Sequence, residues 1–571
     1  MRKTPRQLSS QASDPGFGYR PSFRNGYIPF LRTSTKPSLV ALSWLVTVFL
    51  IAAAPVRADG ILPEVQAILA QPDRLPLIVE KRRRDITRFY NSDDAQVLWL
   101  GHPRSHAITD VMASAQLQGL RPEDYPYGIL IEAARSLDGP LSPAEKAWVE
   151  LLFSSHFLDF ASDLRTGRVS PRILYPDAYM PLNEVNALDA LGRLAKAEDF
   201  DSFLTDWQPQ DDTYRRLKEH LAHLYDIRSA GGFTFQQPDE TTLVAGTSDP
   251  RIPDLRRRLF EDELLTEASG SQDFDKRLAF AVGQAQFRYG LPLSGSVSRT
   301  LIQALNIPVD RRIEQVTNAM ERIRWIPNQY SRLQMLINKG ENHYVFVENG
   351  RVIREGLAFA NCPDRNYTTT ATAIEAVTFH PTWQVSWEFL GKELLPRLQS
   401  DPNAVEDQGY YMRRGGAEVP LSAVPWKQVT PNTLDRIEGN FSIFLPSSIE
   451  NPLGRYAYRV RREERLILFD LPQSPDGDTY CNPFLPKTAF GIVEGLDILK
   501  EVIEPRVFPP SGVPDRLSRG DTITYPARSG LMAVVTHQSA WIQRQGIIRF
   551  GKDPYLEDAR LTAALSGRPK P

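Results

Sequence analysis

Thiol and imidazole chemistry have few places to reside in this chain, which holds two cysteines, Cys362 and Cys481, and eight histidines in 571 residues. A cysteine attacks as its thiolate, which wants a nearby base or cation. For Cys481, inside Tyr480-Cys481-Asn482-Pro483, the evident candidates are Lys487 and His537. Two cysteines cannot build a disulfide framework or a Cys-rich zinc site. His102 and His106 lie close together, as do His220 and His223, but neither pair belongs to a His-Glu-x-x-His motif. They read as surface or helix histidines, and no metal or other cofactor is expected.

The elements that must position such groups are several. A chain this long exceeds what one core serves, and two to four domains is the natural expectation. Hydrophobic content of 42% and charged content of 24% are those of a globular protein. A net charge of -2 gives no reason to expect nucleic acid as a partner.

Residues 1–58 read as an address. Arg2, Lys3, Arg6, Arg20, Arg24, Arg32 and Lys36 precede an apolar run from Ser38 to Val56. As a helix that run would extend roughly 28 Å at about 1.5 Å per residue, near the thickness of a bilayer core. Val56-Arg57-Ala58 offers small residues where a signal peptidase reads, with Pro55 just before. The reading is export to the periplasm, by a cleaved signal peptide or with an inner-membrane anchor if the segment is retained, the N-terminus cytoplasmic in either case.

Residues 61–240 read as helical. Ile108–Leu117 is amphipathic and stops at Gly119, and Ser142-Pro143-Ala144-Glu145 is a capping box with proline at the first helical position. The helix it starts shows Trp148, Leu151, Leu152, Phe157 and Leu158 on one face, with Gly167 as its stop. More helix is expected from about Asp212 to Tyr225. Over 243–310, Leu278, Ala281, Val282 and Ala285 recur at helical spacing up to Gly290, and Thr300–Asn306 forms another short helix. From Glu321 the pattern turns strand-like, and Glu348-Asn349-Gly350 is a hairpin signal between His343–Val347 and Val352-Ile353. The fold class is multidomain α+β: a helical region, a small three-helix module, and a β-rich domain over 315–571.

Three stretches carry a resemblance: Asn451-Pro452-Leu453-Gly454-Arg455, Leu466-Ile467-Leu468-Phe469-Asp470-Leu471-Pro472 and Ala489-Phe490-Gly491-Ile492-Val493-Glu494. Together they resemble the catalytic stretch of bacterial L,D-transpeptidases with a YkuD-type domain, in the branch carrying scaffold and peptidoglycan-binding domains. That family reads Asn-x-Leu-Gly-Arg, then His-Asp-Thr-Pro, then Ser-x-Gly-Cys-Val-Arg. Gly119-Leu120-x-Pro122-x-Asp124-Tyr125 and Asp163-Leu164-Arg165-x-Gly167-Arg168-Val169 resemble its scaffold signatures. Leu291-Pro292-Leu293-Ser294-Gly295-Ser296-Val297, followed by Thr300–Asn306, resembles its peptidoglycan-binding fold of three short helices, with Ser294 in an Asp slot. His380-Pro381-Thr382-Trp383-Gln384-Val385 matches Asn-Pro-x-Trp-x-Val with His380 replacing Asn, and Asn361-Cys362-Pro363-Asp364-Arg365 falls on a Gly-Lys-Pro-Asp-Arg loop. The likeness covers nearly everything after Ile61, with a capping insertion at about 386–440.

In the family a cysteine thiolate attacks a stem-peptide amide, a histidine takes its proton, and backbone N–H groups hold the oxyanion. Aligned here, Phe469 fills the histidine slot, Ile492 follows Gly491 in the cysteine slot, and Glu494 fills the arginine slot. Phe469 cannot accept a proton and Ile492 cannot attack. In a different triad hydrolase, losing the nucleophile alone costs on the order of 10⁶ in kcat. The resemblance implies Phe469 and Ile492 side by side, with Trp383, Arg455 and Asp470 contacting substrate. It maps Cys362 and Cys481 near one rim of the groove, where they form a disulfide, stay free and inert, or supply a displaced nucleophile at Cys481. The implied function is an exported cell-wall protein without transpeptidase activity that binds peptidoglycan stem peptides or glycan, or regulates an active paralogue. The competing one is a working transpeptidase using Cys481.

Overall fold

A computed structural model of the chain describes residues 60–71, 75–137, 139–176, 183–239, 241–327, 333–360, 369–434, 439–448, 450–460, 466–471, 489–493, 522–544 and 546–567, with 178, 180, 181, 437, 481, 482, 485, 501, 502 and 520 besides. The basic N-terminal region with its apolar run, the Asn361–Arg365 loop with Cys362, and Pro472, Lys487 and Glu494 lie outside the described residues. Among the described residues, no helix is long and apolar enough to cross a membrane.

The first helices gather on one core. Leu77–Tyr90 (α1) and Pro143–Thr166 (α2) form its frame. The capping box of α2 closes in both directions: Ser142 N–H donates to Glu145 Oε2 at 2.8 Å, and Glu145 N–H donates to Ser142 Oγ at 3.3 Å. Gly167, with φ of 82°, ends the helix. The α2 face carrying Leu151, Phe153, Phe157, Phe160 and Leu164 is wholly buried, with Trp99 stacked on Phe153 at 5.4 Å between centroids. Trp148 and Leu152 pack at the edge of this core. Gly119 follows a short 3₁₀ turn at φ 65°, the left-handed stop its position suggests.

Asp212–Ser229 (α3) turns its apolar side, Tyr214, Leu217, Leu221 and Leu224, into a second core. That core is shared with Ile252–Glu261 (α4), Lys276–Arg288 (α5), Arg299–Leu305 (α6) and Val309–Trp325 (α7). Helix α7 overturns one expectation. The chain stays helical four residues past Glu321 because Arg322, Arg324 and Glu321 find ion-pair partners inside the protein. Arg324 Nη1 meets Glu321 Oε2 at 3.0 Å with both side chains fully buried. The helix stops just ahead of Pro327, as the restriction on residues preceding proline requires.

Fourteen strands are described: β1 Leu333–Asn338, β2 His343–Glu348, β3 Arg351–Ala360, β4 Thr370–Phe379, β5 Trp383–Gln384, β6 Tyr411–Arg414, β7 Ala417–Val419, β8 Ser442–Leu445, β9 Tyr456–Val460, β10 Ile467–Leu471, β11 Ala489–Val493, β12 Ile523–Thr536, β13 Ala540–Ile542 and β14 Ile548–Phe550. Eight close a barrel in the order β1-β12-β4-β9-β10-β11-β3-β2. Pairs β1–β12 and β10–β11 are parallel and the others antiparallel. The β2–β3 turn has Asn349 and Gly350 at φ 49° and 77°, the two positive angles a tight hairpin needs. A four-stranded sheet, β5-β8-β6-β7, and the short helices between its strands pack on the outward faces of β9, β10 and β11. A last helix, Glu557–Ser566 (α8), docks against α7 and the barrel.

Candidate functional site

The β10–β11 seam holds the positions where reacting groups would sit. The strands run parallel in the register Leu468↔Phe490, Phe469↔Gly491 and Asp470↔Ile492. Residues paired across a ladder share a face, and successive residues alternate. Leu468, Phe490 and Ile492 therefore enter the barrel core, while Phe469, Leu471 and Ala489 turn outward under the β5–β8 layer. Phe469 and Ile492 are each fully buried, on opposite faces of the seam. This corrects the expectation of a side-by-side pair: the same-face neighbour of Phe469 is Gly491, and period-two alternation sends Ile492 the other way. A Cβ on Gly491 would stand 3.0 Å from Leu471 Cβ and 3.2 Å from Phe469 Cζ, so the outer face is sealed over the glycine.

The Asn451–Arg455 loop is a clamp. Asn451 Nδ2 lies within hydrogen-bond reach of the carbonyls of Pro381 at 2.8 Å and of Leu445 and Pro446 at 3.1 Å each, while its Oδ1 accepts from Leu453 N–H at 2.9 Å. Gly454 takes φ 65°, and a Cβ there would lie 2.3 Å from the Asp470 carbonyl oxygen. Only glycine lets the loop approach β10 this closely. Arg455 then reaches Asp470, Nε to Oδ2 at 2.7 Å, with the carboxylate fully buried and the guanidinium about half exposed (47%). Arg455 and Asp470, expected to contact substrate, thus hold each other between the loop and β10. His380, in the family's Asn slot, sits at φ 47° and donates its backbone N–H to the Arg455 carbonyl at 2.7 Å. A left-handed backbone suits Asn and His alike, which explains the exchange.

The remaining candidates disperse. Trp383 lies in the core of the outer layer, edge-on to Phe389 at 4.9 Å, and has 5% of its surface exposed; the layer's apolar packing, rather than an open groove, claims it. Cys481 is disulfide-bonded, and no free cysteine is present among the described residues. His537, the candidate base for that thiol, is fully buried beside the start of α8. Its Nε2 lies 3.3 Å from Asp553 and 3.8 Å from Asp558, and burial, then Arg322, hold its pKa down near 4. Asp558 also accepts from Arg322 at 2.5 Å, and Lys339 meets Glu557 at 2.5 Å with both side chains fully buried. His537, Asp553 and Asp558 have ligand-like spacing, but Arg322 occupies the Asp558 oxygen that a cation would need. His220 lies in the second core near Phe550 at 5.9 Å, and His223 Nε2 bonds the Glu261 carbonyl at 2.7 Å.

Comparisons with known proteins cover parts of the chain. A family model described as a scaffold domain matches residues 84–221. A Haemophilus influenzae protein with a provisional assignment as an L,D-transpeptidase is 19% identical over 153 residues. The chain is L,D-transpeptidase-like. That match spans 27% of this chain and 29% of the relative's length. A solved L,D-transpeptidase fragment from Xylanimonas cellulosilytica is 14% identical, with 52% of this chain and all of that chain covered at a TM-score of 0.16. The Ldtfm–avibactam carbamoyl enzyme is 11% identical, with 56% and 98% covered, also at 0.16. Scores this low carry no argument about the fold, which rests on the barrel and helical cores described above.

Two residues next to the Arg455–Asp470 pair did not stand out in the sequence. Tyr456 and Tyr458 follow Arg455 directly and point into the barrel, ring centroids 5.7 Å apart. Burial raises both phenols far above their usual pKa, and Asp470 adds to the effect. The Tyr-x-Tyr alternation was the available signal, since period two places both on one face.

Proposed function

We propose that this chain is an exported, cell-wall-associated protein that binds peptidoglycan or regulates a working transpeptidase, without forming cross-links itself. One observation carries the reading: the two positions that would need a base and a nucleophile hold fully buried apolar side chains on opposite faces of the β10–β11 seam. The frame around them, Asn451, Gly454, Arg455, Asp470 and Gly491, is explained by hydrogen bonding and close packing alone. A displaced nucleophile at Cys481 loses its support once that sulfur is in a disulfide. Peptidoglycan as the partner rests on the L,D-transpeptidase-like character of the chain, and export on the basic, then apolar, N-terminal region. The test combines two assays on the purified protein. It should co-sediment with isolated sacculi, and tetrapeptide-rich muropeptides incubated with it should show no new 3→3 cross-links by mass spectrometry. New cross-links would overturn the reading, and so would absence of both sacculus binding and any effect on an active transpeptidase.

A further inference from the structure

The outer face of the barrel carries a small cavity where the helices dock on it. In the β1–β2 ladder Leu336 lies opposite Val345 and Asn338 opposite His343, and period-two alternation turns all four away from the barrel core. Ile323 and Ile326 at the end of α7, Thr213 on α3 and Trp541 on β13 complete the wall. The cavity measures about 50 Å³. One water needs about 10–15 Å³ of such space, so there is room for roughly four non-hydrogen atoms.

Two residues of this wall carry buried polar atoms with no hydrogen-bond partner among the described residues: the donor Trp541 Nε1 and the acceptor Gln538 Oε1. Trp541 is 7% exposed and Gln538 8%. Buried polar groups are nearly always paired, so an orphan donor and an orphan acceptor at one cavity call for a missing partner. Arg549 stacks on the Trp541 ring at 5.4 Å, which leaves the indole N–H unspent.

The other polar groups narrow what that partner is. Asn338 is already committed: its Nδ2 donates to the Gln538 carbonyl at 2.8 Å, and its Oδ1 accepts from the Gln538 N–H at 3.0 Å. The His343 ring lies beside Trp541, centroids 6.3 Å apart, and its Nε2 stands 3.9 Å from Glu355, beyond hydrogen bonding. Burial, then Arg549, hold the His343 pKa near 4, so the ring is neutral at pH 7. No ionised side chain lines the cavity among the described residues.

We infer that this cavity binds a small neutral aliphatic alcohol of about two to four carbons, its hydroxyl accepting from Trp541 Nε1–H and donating to Gln538 Oε1, its alkyl chain against Leu336, Val345 and Ile326. A hydroxyl answers both orphans at once. A carboxylate cannot donate and an ammonium cannot accept, and either would bury a charge with no counter-ion on the wall. Water filling the whole space would leave most of its hydrogen bonds unmade against the aliphatic side chains. A guest held between α3, α7 and the barrel favours their docked arrangement by mass action.

The test is an NMR titration of the full chain, labelled with nitrogen-15 at its tryptophan indoles, with 1-propanol. Trp541→Phe identifies the resonance of interest among the nine tryptophans. That resonance should shift and saturate in the millimolar range, about what four non-hydrogen atoms can supply, while the others stay still. Propionate and propylammonium should leave it unmoved, and acetonitrile, an acceptor without a donor, should bind more weakly. Gln538→Met should weaken 1-propanol roughly fivefold, the loss of one neutral hydrogen bond, and Val345→Phe, which fills the floor, should abolish binding. Gln538→Met keeps the backbone bonds to Asn338, so its melting should be unchanged, and it decides the matter if Val345→Phe does not fold. A shift that grows linearly without saturating, or that spreads over all the tryptophans, would overturn the site, as would equal affinity in wild type and Gln538→Met. An indole N–H that keeps its cross-peak to bound water at high 1-propanol would make the occupant water alone and overturn the proposal.

Discussion

Gly454→Ala is the substitution whose consequence can be worked most fully. The native φ of 65° costs an L-residue about 1–2 kcal/mol. The new methyl would also lie 2.3 Å from the Asp470 carbonyl oxygen, a backbone atom that cannot swing aside. Relieving it means moving the loop off β10, which stretches the Arg455 Nε–Asp470 bond from 2.7 Å and the Arg455 N–H bond to the same carboxylate from 3.3 Å. A hydrogen bond to a buried charge contributes about 1.5–3 kcal/mol, so the total destabilisation should be about 3–4 kcal/mol. The loss is local to β9, β10 and the Asn451 clamp. Amide hydrogen exchange by mass spectrometry is therefore a better assay than a global melt. Peptides covering 453–471 should exchange roughly a hundredfold faster, the scale that about 3 kcal/mol of opening free energy implies. Gly283→Ala is the control. It lies inside α5, where a Cβ would meet nothing within 4 Å, so there alanine should stabilise by about 1 kcal/mol. Unchanged exchange at 453–471 in Gly454→Ala would refute the clamp.

Three further outcomes follow from the same geometry. The double change Phe469→His with Ile492→Cys should give no carbapenem adduct by intact mass, because the new imidazole and thiol would point to opposite faces of the seam. Lys339→Met should leave the buried Glu557 carboxylate without its ion-pair partner, keeping only the Tyr175 hydroxyl, and destabilise the α8 docking by about 3 kcal/mol, read as faster proteolytic release of the C-terminal helix. Acid should weaken the fold well before carboxylates titrate. His220 is held neutral by burial, then Arg288, with its pKa near 3, and His343 by burial, then Arg549, near 4. The unfolded chain, with histidine pKa near 6.5, then binds more protons below that pH. Stability from these groups is complete above about pH 6.5 and declines as pH falls toward 3–4. His220→Gln should flatten the change in Tm between pH 7 and pH 5, with a difference of roughly 1–2 kcal/mol relative to wild type.

Local rules made much of this architecture legible. The Ser142–Glu145 capping box, the Gly119, Gly167 and Gly290 stops and the Asn349-Gly350 hairpin all depend on a few neighbouring residues, and each stands where its residues place it. The end of α7 was not legible, since Arg322 and Arg324 are kept helical and buried by Asp558 and Tyr214, partners over a hundred residues away in sequence. The seam shows the same limit. The motifs located β10 and β11, but which side chains share a face depends on their pairing register, and a one-residue difference separates a facing pair from an opposed one. Trp383, Arg455 and Asp470 looked like substrate contacts for a related reason: a residue retained for packing and one retained for chemistry leave the same trace in a single sequence.

The most direct test of the central claim is mass spectrometry of the wild-type, non-reduced protein after incubation with a carbapenem, which acylates the thiolate of working L,D-transpeptidases. An unmodified intact mass is expected and, after digestion, Cys481 recovered in a disulfide-linked peptide with Cys362. A carbapenem adduct mapped to Cys481 would contradict it and establish the chain as an enzyme with a displaced nucleophile.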